Sequence, residues 1–336
     1  MSGVTFGASA LRWCLGGAAQ EHGRKVAGKE MAGAALGLDA LRGSGQRHRK
    51  EKLVRRVFLS AAVVSIIISA AIILSLIGEA ISFLTQIDVA RLWESGWFPR
   101  RGMFDIKTIV AGTLVISGIA MIVAAPLGLG AAMYLSEYAN PRVRRLLKPI
   151  IELLAGIPSV VLGFFALTWI SPEIVQRLNP DAGIFNLMAA GLAVGILVMP
   201  LVASIAEDAM RAVPHSLREA SYGLGARKMS TTVRVVFPAA ISGIAASLIV
   251  GVSRAIGETM VVTMAAGGQG LFTLHPTESG QTMTGAMAQL AIGGDQVKGA
   301  TAAFQSLFFV GLLLFCMTLI LNLLSERFVR RVRQKY

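Results

Sequence analysis

Charge is scarce in this chain of 336 residues. Asp, Glu, Lys and Arg make up 15% of it, against roughly 25% in an ordinary soluble domain. With 54% hydrophobic residues and a mean hydropathy of +0.65, that scarcity excludes a conventional water-soluble globule. Cysteine is scarcer still. Cys14 stands in a polar stretch and Cys316 inside an apolar run, too few for a disulfide framework or a metal cluster. Cys316 reads as a small core residue. His275 lies alone in its segment, and a single histidine does not make a metal site. No G-x-x-x-x-G-K-[ST] loop occurs to cradle nucleotide phosphates, so the chain is not itself an ATPase, and no metal or cofactor is expected on it. No basic stripe with interleaved aromatics occurs either, which excludes a nucleic-acid partner despite the net charge of +13.

Long apolar runs are what the chain does have. A helix needs about 20 mostly apolar residues to cross the roughly 30 Å hydrocarbon core of a bilayer. Six segments meet or approach that length: 57–78, 108–136, 153–172, 182–206, 235 into the 270s, and 299–325. The fifth is interrupted by Arg254 and Glu258. The runs are continuous rather than alternating, so the expected fold is all-α, a polytopic membrane bundle of six transmembrane helices. Residues 1–52 are Gly- and Ala-rich with scattered charge and are expected to be a disordered extension. Residues 53–336 form the membrane domain. The first apolar run lacks a small-residue cleavage site and reads as a retained anchor.

The cations alternate between the two sides of such a bundle. With the N-terminus inside, 25 Lys and Arg fall on that side and six on the other. The positive-inside rule then puts both termini in the cytoplasm. Trp93, Trp97 and Phe98 fall where an interfacial aromatic belt would lie. Pro126 with Gly128 and Gly130 is expected to kink or loosen the second helix and to allow close helix approach. The outer segment 267–298 is rich in Gly, Thr and Gln, and fits either a solvated loop or a docking surface.

The inner loop 207–237 is longer than a connection requires. Ser216 and Glu219 have the spacing of a capping box, with Ser216 as the cap, and Gly225 is placed to supply a left-handed stop. A short helix exposed to the cytosol is marginal alone and needs a partner to pack against. Two further charges stand out: Arg254 and Glu258 are four residues apart in an apolar run. Intramembrane charge costs about 2.5–3.5 kcal/mol and marks function or pairing. The guanidinium could grip a tetrahedral oxyanion with two parallel hydrogen bonds, or the two residues could pair as a salt bridge on one helical face.

Glu219-Ala220-Ser221, three residues, Gly225, nine residues, then Val235-Val236-Phe237-Pro238 resembles the EAA loop of ABC-importer permeases, E-A-A, three residues, G, nine residues, I-x-L-P. The differences are Ser221, Val235 and Phe237. The resemblance implies a type I importer permease (MetI-like) core, with Glu219, Ala220 and Gly225 in a coupling helix that docks on an ATPase subunit dimer, where ATP and Mg would reside. The stretch from Ser253 to Met264 around Gly257-Glu258-Thr259, together with Pro126-Leu-Gly-Leu-Gly130, Leu135-Ser-Glu-Tyr138 and Glu152-Leu-Leu-Ala-Gly-Ile-Pro-Ser-Val160, resembles permeases of the Pst-type phosphate importer, closer to the C-type than the A-type subunit. That likeness covers about residues 108–336. It implies Arg254 and Glu258 along a phosphate path, a second permease subunit of the A type, and an extracytoplasmic phosphate-binding protein. It further implies a multi-pass place in the lipid of a bacterial inner membrane. The competing readings are a permease for another oxyanion or solute, an ATP-independent secondary transporter or channel, and a membrane scaffold without transport.

Overall fold

The computed structural model describes residues 45–94, 96–292 and 301–332, which divide into two compact units, residues 1–72 and 73–336. Helix α1, Gly45–Gln86, starts in the first unit. Residues 45–52, expected to be disordered, are helical, because the apolar run that follows propagates helix back through the basic segment. The rest of the expected extension, with Cys14, lies outside the described residues.

In the second unit, a hairpin of β1 (Trp97–Phe98) and β2 (Met103–Phe104) turns through Gly102 and leads into α2, Ile106–Met133. Asp105 starts α2: its carboxylate accepts from Lys107 N at 3.1 Å, a backbone donor the first turn leaves open, and from the Thr108 hydroxyl at 2.8 Å. A π turn, Tyr134–Tyr138, extends α2. Then come α3 (Pro141–Ala155), and α4, which comprises Ser159–Phe165, the π segment Ala166–Val175 and Gln176–Leu178. Asn186 caps α5, Leu187–Arg211, accepting from Ala189 N at 2.7 Å. The connection after α5 contains α6, His215–Gly223. Next is α7, made of Lys228–Thr231, the π turn Thr232–Val236 and Phe237–Ala239. It is followed by α8 (Ile241–Ile256), α9 (Met260–Ala265), α10 (Met283–Ile292) and α11 (Thr301–Val332).

Five helices among the described residues are long and apolar enough to cross a membrane, and six if α7 and α8 count as one span bent by 72°. The six-helix bundle therefore stands, but its fifth member is not the continuous run the sequence suggested. It bends near Ala240 and ends at Ile256.

The core sits between α2 and α5, whose facing sides carry Ile116, Ala120 and Ala124 against Ala189, Ala193 and Leu197. Small residues permit the close packing that helices in lipid rely on. A Cβ on Gly191 would sit 2.7 Å from the Cβ of Ile119, so any larger residue there forces the helices apart. Pro126 lies inside α2 without ending it. Two sequence expectations change here. Trp97 is buried against Phe104, leaving Trp93 as the exposed tryptophan of the presumed belt. Cys316 lies on an exposed face of α11 rather than in the core.

The segment after α9 is exposed over much of 267–279 and turns inward beyond it. Residues 280–286 are buried, with Met283 N donating to Thr113 Oγ1 of α2 at 3.0 Å and Thr284 Oγ1 to the Glu258 carbonyl at 2.7 Å. Residues 293–300 lie outside the described residues.

Candidate functional site: helix α6 and the break after α8

Helix α6 has the exposed face a docking helix needs. Glu219, Ala220 and Tyr222 are exposed, and Leu224 at its end is 90% exposed. Its C-terminus closes as the sequence predicts. Gly225 takes φ 78°, its N–H donates to Tyr222 O at 2.9 Å, and Ala226 N donates to Ser221 O at 3.1 Å. This is a Schellman closure, which needs a residue tolerant of the left-handed region. The N-terminus differs from expectation. The helix starts at His215, with Pro214 as its cap residue and no side-chain cap hydrogen bond, so Ser216 is inside the first turn and is not the cap. Proline's fixed φ sets the chain for helix entry two residues early.

What anchors α6 is Arg218, which sequence reasoning passed over. Its guanidinium is buried and donates to Val213 O at 2.6 Å and Met210 O at 2.9 Å, the carbonyls where α5 ends. It also reaches both Glu137 carboxylate oxygens, at 2.8 and 3.4 Å, in the π turn of α2. One side chain thus ties α6 to the two central helices. Ser221 adds a hydroxyl contact with Thr231 of α7 at 2.9 Å. The neighbouring Glu207, 0% exposed on α5, lies 3.1 Å from Arg144 Nε and 2.9 Å from Lys148 Nζ of α3. Lys148 also contacts Asp208 at 2.7 Å. Partial burial pushes the Lys148 ammonium pKa down, but hydrogen bonds and charge from Asp208 and Glu207 outweigh it and raise the value. A cue in the sequence was the pattern of cations in α3 facing Glu207-Asp208, but only the packing of α3 on α5 joins them.

The second place is the end of α8. Helix α8 stops at Gly257, so Arg254 and Glu258 are not on one continuous helical face and do not form an ion pair. Arg254 sits in the last turn, where a cation complements the helix dipole. It is exposed, about 20 Å along from Ile241 at ~1.5 Å per residue. Ser253 beside it donates to Asn322 Oδ1 of α11 at 3.1 Å. Glu258 is buried, and its Oε1 accepts from Met260 N at 3.1 Å and Val261 N at 3.3 Å, capping α9. The break therefore separates two tasks: Glu258 holds the backbone, and Arg254 presents free charge.

The architecture is a set of candidate membrane-spanning helices with a short connecting helix tied by Arg218 to α2 and α5. The chain belongs to the family described as binding-protein-dependent transport system inner membrane component, whose model matches residues 124–334. It is a multi-pass membrane protein. More particularly, it is similar to the phosphate transport system permease protein PstC of Pasteurella multocida, with 28% identity over 86% of this chain and 94% of that protein. The probable ABC transporter permease protein YqgH of Bacillus subtilis is 32% identical over 68% of this chain and 76% of that protein. In fold, the chain is similar to a subunit of a bacterial ABC transporter involved in the import of the acidic polysaccharide alginate. The TM-score is 0.58 at 17% identity, covering 85% of this chain and all of that one.

Proposed function

We propose that this protein is a membrane-spanning permease subunit of an ATP-driven phosphate importer. The observation that carries the reading is the exposed, Schellman-closed helix α6 bearing Glu219 and Ala220, tied by Arg218 to α2 and α5. A push on α6 from an ATPase subunit dimer would move both central helices together. ATP and its Mg ion belong on that partner. In this reading the α6 end and both termini face the cytoplasm, and an extracytoplasmic binding protein delivers cargo to the opposite end. Phosphate as cargo is supported by the similarity to PstC proteins.

An exposed, unpaired cation at Arg254 in an otherwise apolar helix calls for a polar neighbour outside the chain. A path shared with a second permease subunit supplies one, with the guanidinium as a transient oxyanion contact. Glu258 shapes that path by fixing the α8–α9 break. The test is reconstitution with the partner subunits, following ATPase recruitment and labelled-phosphate uptake. Arg254→Ala should lose uptake and keep recruitment, while Glu219→Ala should lose both. Undiminished uptake by Arg254→Ala would remove the arginine from the path.

A further inference from the structure

The chain between α9 and α10 runs outward and returns to the point it left. Leu271, Phe272 and Leu274 are exposed at its tip. Its base is closed by Gly280 N donating to Ala266 O at 3.0 Å and Gly268 N donating to Gly280 O at 3.1 Å. Two of its carbonyls reach further. Glu278 O accepts from Leu187 N at 3.0 Å and Pro276 O from Met188 N at 2.7 Å, which satisfies first-turn donors of α5. The loop is therefore fixed to the start of α5.

Beyond that base, residues 280–286 are buried and form a wedge between α2 and α9. On the α2 side the approach is so close that a Cβ on Gly112 would lie 2.2 Å from the Gln281 carbonyl oxygen. The Thr113 hydroxyl donates to Ile109 O of its own helix at 2.7 Å and accepts from Met283 N at 3.0 Å. On the other side Thr284, 5% exposed, donates to the Glu258 carbonyl at 2.7 Å. A Cβ on Gly285 would come within 3.7 Å of Thr263 Oγ1 on α9. Glu258 in turn holds Met260 N and Val261 N through its carboxylate. Where a helix stops, its carbonyls lose their intrahelical donors, and a buried one needs another. Thr284 supplies one.

We propose that Thr284 is a positioning residue for the transport path. Wedged against α2, it holds the Glu258 carbonyl, fixes the break after α8, and so sets the direction in which Arg254 is presented. The same wedge joins the outer loop to the break. In the orientation proposed above, a load on the loop from outside the membrane reaches the break through this hydroxyl. The role in transport rests on the function proposed above, whereas the tie between Thr284 and the break does not.

Hydrogen exchange of the full chain in lipid nanodiscs, read by mass spectrometry over residues 258–265, tests the tie. Thr284→Val keeps the shape of the side chain and removes its donor. Exchange of the Met260 and Val261 amides should rise about two- to tenfold, the effect of one lost hydrogen bond, with exchange along α5 unchanged. Thr284→Ser keeps the hydroxyl and should restore the wild-type rate. The second measurement is phosphate uptake per ATP hydrolysed in the reconstituted transporter. It should fall at least about twofold in Thr284→Val and recover in Thr284→Ser, with ATPase recruitment at the wild-type level in both. Unchanged exchange at Met260 and Val261 in Thr284→Val, a rise spread equally over α5, or wild-type uptake per ATP in that variant overturns the assignment. A serine variant as defective as the valine one overturns it too. A wild-type assembly that imports no phosphate, alongside the expected exchange pattern, removes the phosphate reading and leaves the tie in place.

Discussion

Replacing Arg218 with methionine removes four hydrogen bonds at once while keeping most of the side chain's length. The cost follows from what stays behind. Glu137 remains almost fully buried with its principal cation gone, and breaking one side of a buried ion pair costs about 3–5 kcal/mol. The carbonyls of Met210 and Val213 lose their guanidinium donor as well. Removing both charges together, as Arg218→Met with Glu137→Leu, should recover part of that loss, because no isolated carboxylate is then buried. Stability alone would not test the coupling role, so the informative assay measures both ATP hydrolysis and phosphate uptake in proteoliposomes. The exposed face of α6 is untouched by the substitution, so the ATPase should still bind. The tie between α6 and the central helices is cut, so uptake per ATP hydrolysed should fall in the single variant and stay low in the double one, even where stability returns. Single and double variants that match wild type in stability and in uptake per ATP would refute the reasoning.

Glu207→Gln should destabilise the protein by about 3–5 kcal/mol, since Arg144 and Lys148 would lose their buried counter-charge, as read from thermal unfolding in detergent. The raised Lys148 pKa gives a stabilising contribution that is full below the ordinary lysine value of about 10.4 and is lost as pH rises through the folded value. Stability should therefore decline on the alkaline side, and the decline should be smaller in Lys148→Met. Gly225→Val places a β-branched residue at φ 78°, which should cost at least about 1–2 kcal/mol and weaken ATPase recruitment by disordering the end of α6. Glu258→Ala removes the cap of α9 and should cost about 0.5–2 kcal/mol, with uptake reduced more than ATPase recruitment.

The membrane spans were legible because runs of about twenty apolar residues have few alternative fates. The left-handed stop at Gly225 was legible for a similar reason, since a glycine after a short amphipathic helix has a narrow set of uses. What escaped the sequence depended on a neighbour or on competition between local signals. Ser216 had the composition of a cap, but Pro214, with its pre-set φ, took the boundary. Arg254 and Glu258 fit one helical face by spacing, yet the carboxylate bonds the backbone ahead of it and the helix stops between them. Arg218 drew no notice in the sequence, because nothing local shows that Glu137, far off in sequence, lies beside it. The Gly-, Thr- and Gln-rich segment read as either a solvated loop or a docking surface by composition, whereas its part around Met283 and Thr284 is buried and bonds to α2 and at the helix break. Trp97 looked interfacial until the hairpin turned it inward against Phe104.

The central claim is that this chain carries phosphate at the expense of ATP bound elsewhere. It is tested most directly by the initial rate of labelled-phosphate uptake into proteoliposomes containing the chain, its partner permease and ATPase, with the binding protein outside and ATP within. The account predicts uptake that requires both ATP and the ATPase and that excess sulfate leaves unchanged. Equal uptake without the ATPase, or uptake suppressed as strongly by sulfate as by unlabelled phosphate, would contradict it.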